Sequence, residues 1–261
     1  MAPELVSYAD GPAWILALNR PDRRNALTPD LARALATELE RVGSEPDTRA
    51  VVLRGASGHF CVGLDLRWAA SLGPDPSQDI LADGLAAIQS AVRAVVRCPN
   101  PVIGVIEGSA AGFGVDLAAA CDLRLATSSA VFTSAFARMG LVPDGGSTYT
   151  LPRLLGTGRA LRFLTAGGTL NAGLALRAGL VDDVVPEEEL DNQVRTVVTG
   201  IAEAAPDSVR AIKRLIRGEE LQAFEEALRR EGEAQLAALR GPEFKQRLTA
   251  FLSRSAGSER A

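Results

Sequence analysis

The chain has 261 residues, 47% of them hydrophobic, and a formal net charge of −4. That apolar content supports a large core and excludes a globally disordered chain, while the mild acidity argues against a dedicated nucleic-acid binder. Cys61, Cys98 and Cys121 are odd in number and lack C-x-x-C spacing, so neither a disulfide scaffold nor a zinc ribbon is expected.

Residues 1–4 show no basic stretch leading into an apolar run, and no segment reaches about 18 uninterrupted apolar residues. A cytoplasmic protein without membrane association is the expectation. Residues 14–18 are apolar between turn-forming clusters and read as a strand. Thr28-Pro29 opens a helix, with Thr as N-cap, Pro at the first helical position, and Leu31, Leu35 and Leu39 on one face. A strand at 51–53 leads into a glycine-bearing turn, and Gly73-Pro74-Asp75-Pro76-Ser77 reads as a loop. A helix over 80–97 precedes a strand at 102–106 and a second glycine-bearing turn. Strands are also expected at 123–126 and 130–133. Repeated strand-then-helix units argue for α/β architecture. From Pro206 onward the pattern is helical, punctuated by Gly218 and Gly241-Pro242. The natural division is an α/β core over 1–200 and a helical subdomain over 201–261.

The two turns carry the chemistry. Phe60-Cys61-Val62-Gly63-Leu64-Asp65 and Gly108-Ser109-Ala110-Ala111-Gly112-Phe113-Gly114-Val115-Asp116 each follow a short apolar strand. Strand, small-residue turn and helix leave backbone N–H groups free and aimed at one point. One donor from each turn could hold a carbonyl oxygen that gains negative charge, as in an oxyanion hole. Gly112-Phe113-Gly114 lacks the third glycine of a dinucleotide fingerprint and is not read as one. His59, the lone histidine, and Cys61 are expected to be non-catalytic.

Further motifs appear in order: Arg20-Pro21-Asp22-Arg23-Arg24-Asn25-Ala26-Leu27, Gly140-Leu141-Val142-Pro143-Asp144-Gly145-Gly146, Leu170-Asn171-Ala172, and Ala178-Gly179-Leu180-Val181-Asp182. Together with the two turns and residues 244–254, they resemble the enoyl-CoA hydratase/isomerase (crotonase) family over nearly the whole chain. The resemblance implies a spiral of ββα repeats with a C-terminal helical trimerisation region, hence a homotrimer or dimer of trimers. It implies an acyl-CoA substrate with no cofactor and no metal, and a thioester enolate held by the N–H groups of Val62 and Phe113.

Typical hydratases of that family have glutamates at the positions of Asp116 and Phe136. Here the first is one methylene shorter and the second cannot move a proton, so hydration by the usual pair is disfavoured. The run through Asp144 resembles the family's isomerase branches, in which an aspartate there is the proton-transfer base. Asp144 is therefore expected as the main base and Asp116 as its assistant. Pro143-Asp144-Gly145 is also good turn chemistry, which would make Asp144 a helix N-cap. Two other readings stay open: a 2-enoyl-CoA hydratase using Asp116 with Asp144, and a non-catalytic acyl-CoA-binding protein. Substrate or CoA contacts are expected from Arg24, Ala26, Leu64, Asp65, Gly112, Phe136 and Arg254, with Lys245 and Arg247 as further candidates. Trp68, the region 69–79, Phe132, Phe136 and Met139 are expected to wall the acyl pocket.

Overall fold

The computed structural model describes residues 3–73 and 75–258, with the side chains of residue 219 and residues 254–258 outside that set. The chain opens with a hairpin of β1 (Leu5–Asp10) and β2 (Ala13–Leu18), followed by α1 (Pro29–Gly43) and β3 (Ala50–Gly55). After α2 (Leu66–Ser71) and α3 (Gln78–Arg97) come β4 (Val102–Ile106), β5 (Ser109–Ala111) and α4 (Phe113–Ala120). Next are β6 (Leu123–Thr127), β7 (Val131–Thr133), α5 (Ser147–Leu155), α6 (Thr157–Ala166), β8 (Thr169–Asn171), α7 (Ala172–Ala178) and β9 (Asp183–Val185). The helices α8 (Leu190–Glu203), α9 (Pro206–Arg240) and α10 (Pro242–Ser258) close the described chain.

The main sheet has the order β1-β2-β3-β4-β6-β9, antiparallel at β1–β2 and parallel elsewhere. A smaller sheet, β5-β7-β8, stands beside it. The parallel strands β3 and β4 are near-continuous apolar runs because both faces are covered. Alternate residues sort accordingly. Leu16, Leu18, Val51, Leu53, Val102 and Ile106 join the core built with α1, α3 and α4. Ile15, Val52, Ile103, Val105 and Leu125 pack instead against Leu190, Val194 and Val198 of α8. Thr28 caps α1 as the sequence predicts, its hydroxyl accepting from the Leu31 N–H at 3.2 Å, with Pro29 at the first helical position.

The sequence reading misses β1, β5, β8 and β9. The last three are three-residue strands, too short for a period-two pattern, and β1 is a partly exposed edge. Gly218 does not break the C-terminal helix: α9 runs through it for 35 residues. The expected division at residue 200 falls inside α8, and the helical region shares the main core through Phe224 and Leu228 of α9. Among the described residues, no helix is long and apolar enough to cross a membrane.

Candidate active site

The two turns meet at the C-terminal edge of the parallel strands, where open α/β sheets commonly place ligands. A short ladder holds them together. The Phe60 N–H donates to the Glu107 carbonyl at 2.9 Å, the Cys61 N–H to Ser109 at 3.2 Å, and the Ala111 N–H to Cys61 at 2.9 Å. On the other side the Leu27 N–H donates to the Gly63 carbonyl and the Asp65 N–H to the Leu27 carbonyl, both at 2.8 Å. In both turns the ladder then stops. The Gly112 N–H is taken by the Thr133 carbonyl at 3.0 Å, but no described group accepts from the N–H of Val62 or Phe113.

Only glycine permits this approach. Gly63 has φ +87°, and a Cβ there would lie 2.8 Å from the Ala111 carbonyl oxygen and 3.1 Å from the Phe113 nitrogen. Gly114 sits so close to the Cys61 carbonyl that any side chain would run into it. The Phe113 nitrogen begins α4, where the aligned peptide dipoles favour an anion.

Val62, Gly63, Leu64, Gly112, Phe113 and Phe136 line one cavity of about 410 Å³ together with Asp144. Its far wall is apolar: Trp68, Leu81, Leu85 and Ile88 from α2 and α3, Met139 and Leu141, then Leu239, Leu248 and Leu252 from the last two helices. Phe132 does not belong to that wall. It is fully buried in the main core, because β7 points it inward. Lys245 reaches the cavity rim and pairs with Asp75 at 3.2 Å.

Asp144 is the one carboxylate on the cavity lining among the described residues. Its Oδ2 accepts from Gln235 Nε2 at 3.0 Å, and its Oδ1 is buried without a hydrogen-bond partner. Burial pushes its pKa up to about 7, opposed by the Gln235 donor and assisted by the nearby Glu231 charge. It caps no helix. The cap position of α5 is Gly146, and Glu231 of α9 performs the capping instead, accepting from the N–H groups of Gly146 at 2.6 Å and Thr148 at 2.7 Å.

Asp116 is placed differently from the expectation. It is 1% exposed and absent from the cavity lining. Its Oδ2 accepts from the Gly145 N–H at 2.9 Å and its Oδ1 from the Ser147 hydroxyl. Burial first, then the charges of Glu231 and Asp144, hold its pKa well above the usual carboxylate range. An aspartate one turn into α4 is too short to reach past the residue 145–147 backbone, so it braces that loop from behind.

Three other expected contacts also fall outside the cavity. Asp65 is the N-cap of α2, accepting from the N–H groups of Arg67 and Trp68, and is clamped by Arg20 Nη2 at 2.9 Å. Ala26 is buried and offers its carbonyl to Arg20 Nη1 at 2.6 Å. Arg24 is exposed, with φ +47°, ending a single turn of 3-10 helix. The Arg254 side chain lies outside the described residues, and Arg247 donates to the Arg138 carbonyl at 2.9 Å. His59 is a turn brace, its Nδ1 accepting from the Ser109 N–H at 3.4 Å. The Cys61 thiol is pushed up to about 12 by burial, which leaves it a packing group.

The residues that sequence reasoning missed are Gln235, Glu231, Ser147 and Arg20. A signal for two of them existed: Phe224, Leu228, Glu231 and Gln235 continue one helical stripe at spacings of four, three and four. Polar side chains on a buried stripe mark something held inside.

Sheet order, paired turns and the apolar cavity beside them define the crotonase fold. Residues 13–256 match the family model for enoyl-CoA hydratase/isomerase. The chain is 31% identical to the 1,2-epoxyphenylacetyl-CoA isomerase of Escherichia coli K12, over 96% of this chain and 95% of that protein. It is 35% identical to the (E)-benzylidenesuccinyl-CoA hydratase of Thauera aromatica, over 76% of each. The solved enoyl-CoA hydratase/isomerase of Pseudoalteromonas atlantica superposes with a TM-score of 0.87 at 32% identity, over 97% of this chain and 98% of that one. This chain belongs to the enoyl-CoA hydratase/isomerase family.

Proposed function

We propose that the protein moves a carbon–carbon double bond within an acyl-CoA thioester by way of an enolate. The N–H groups of Val62 and Phe113 hold the thioester oxygen as it gains negative charge, each worth roughly 3–4 kcal/mol in the transition state. Asp144 takes a proton from one carbon of the acyl chain and returns it to another. A carboxyl with its pKa near 7 is suited to both halves of that exchange at neutral pH.

One observation carries this reading: among the described residues the cavity lining holds a single carboxylate, Asp144, whose Oδ1 has no hydrogen-bond partner. Shuttling one proton needs one such group. Hydration by an Asp116–Asp144 pair would need Asp116 at the cavity, where the Gly145 N–H and Ser147 hydroxyl already occupy it. A purely binding role is disfavoured because a buried, half-satisfied carboxyl costs stability and contributes nothing to holding an apolar chain. The apolar wall favours a hydrophobic acyl group, and Lys245 at the rim suits the phosphates of CoA.

The reading requires no cofactor beyond the CoA of the substrate, and no nucleic-acid or membrane partner. It places the enzyme in the cytoplasm as a homotrimer or dimer of trimers. Exposed Ile212, Leu215 and Ile216 on α9, at 56%, 76% and 66%, support burial against another copy. Light scattering on the purified protein checks the assembly.

The test of function is to assay 3-enoyl-CoA isomerisation and crotonyl-CoA hydration on one sample, wild type and Asp144→Asn. Isomerisation is expected to be the faster activity and to fall about 10²–10⁴-fold in the variant, with acyl-CoA binding retained. Faster hydration, or a variant within a few-fold of wild type, overturns the reading.

A further inference from the structure

The residues from 142 to 148 carry Asp144, and they are held at every second position by one face of α9. The Val142 N–H donates to Gln235 Oε1 at 3.1 Å, and Asp144 Oδ2 accepts from Gln235 Nε2 at 3.0 Å. The N–H groups of Gly146 and Thr148 both go to Glu231, one helical turn away. The Asp144 carbonyl is tied as well: Gln89 Nε2 of α3 donates to it at 3.1 Å and to the Leu228 carbonyl of α9 at 3.0 Å.

We propose that Gln235 is the positioning residue for Asp144, holding its carboxyl in one orientation through Oδ2. The proposal rests on Asp144 being the base. Gln235 is 2% exposed, and its amide cannot be turned over. A flip would set its NH₂ against the Val142 N–H and its oxygen against the carboxylate, replacing two hydrogen bonds with two repulsions. The main-chain N–H of Val142 therefore dictates that Gln235 presents its donor to Oδ2. With Oδ2 committed, Oδ1 is the oxygen with uncommitted lone pairs.

The same contact opposes the charges around Asp144. Glu231 from α9 and Asp116 from α4 are the titratable groups behind it. Gln89 from α3 is neutral, and Lys245 of α10 lies across the cavity, paired with Asp75. A donor to Oδ2 favours the ionised base, while burial first and then the Glu231 charge favour the protonated acid. Removing the Gln235 amide takes away the largest opposing contribution, so a higher pH is then needed to ionise Asp144.

The test compares Gln235→Leu with wild type and Asp144→Asn, using 3-enoyl-CoA and a full pH profile. Gln235→Leu is expected to lower kcat about 10–100-fold, the scale of a misplaced catalytic group, to leave KM within about threefold, and to move the acidic limb of kcat/KM to higher pH. Gln235→Met, close in volume, replaces it if the leucine variant does not fold. A folded variant with wild-type kcat and an unmoved acidic limb, beside an inactive Asp144→Asn, overturns the positioning role alone. If Asp144→Asn keeps its activity, the base assignment falls and takes the role of Gln235 with it.

Discussion

A buried carboxyl with a raised pKa leaves a trace in the stability of the protein. Asp144 has its pKa raised from 3.8 to about 7, with burial the largest cause, and Asp116 and Glu231 are shifted in the same direction. A group whose folded pKa lies above its unfolded value binds protons more tightly when folded, so its contribution is fully present at low pH. For Asp144 that contribution is lost as pH rises from about 4 through about 7. The melting temperature is therefore expected to decline between pH 4.5 and 8, measured by calorimetry. Asp144→Asn should flatten that decline and melt higher than wild type at pH 8 while being inactive. Activity runs the other way. The proposed base must be ionised, so kcat/KM should rise with an acidic limb near pH 7, and a limb near pH 4 would show that Asp144 is not the titrating group.

Helix α3 shows how an element shapes the cavity through an omitted side chain. Gly84 sits where a Cβ would lie 2.9 Å from Cη2 of Trp68, so the indole rests directly on the helix backbone. Both residues line the cavity. Gly84→Ala gains up to about 1 kcal/mol of helix propensity but forces the ring away from the helix. The expected outcome is a loss of kcat/KM for bulky acyl chains, with short chains spared; equal effects on both would separate Trp68 from chain selection. The loop 142–148 is equally intolerant. A Cβ on Gly145 would approach Asp116 Cβ to 2.5 Å and Phe113 Cε2 to 2.7 Å. Gly145→Ala should therefore displace Asp144 and reduce kcat at least about tenfold in a folded protein, as stopped-time assays would show. Helix α9 was legible as a helix but not as a clamp. The stripe of Phe224 and Leu228 continues through Glu231 and Gln235 and marks them as inward-facing, yet nothing local says that the loop 142–148 is what they hold.

Across the whole molecule, α9 is locked to the sheet by charge at one end and to Asp144 at the other. Asp122 accepts from the Val102 N–H at 2.8 Å and pairs with Lys213 at 2.5 Å and Arg217 at 3.1 Å. Lys213 is 8% exposed, so Asp122→Ala strands a buried cation. A loss of about 3–5 kcal/mol in urea unfolding is expected, and a loss below 1 kcal/mol would mean that α9 docks by apolar contact alone. The sequence alone determined whatever depends on neighbours along the chain: the Thr28 cap, the apolar runs of β3 and β4, and the two glycine-bearing turns. Sterics and hydrogen bonding within a few residues suffice to set those features. Only the tertiary structure decided which aspartate lines the cavity. Asp144 takes its hydrogen-bond donor from a residue 91 positions away, and Asp116 spends both oxygens on residues 29 and 31 positions away. A carboxyl's chemistry follows from its burial and its partners, and here distant segments supply both.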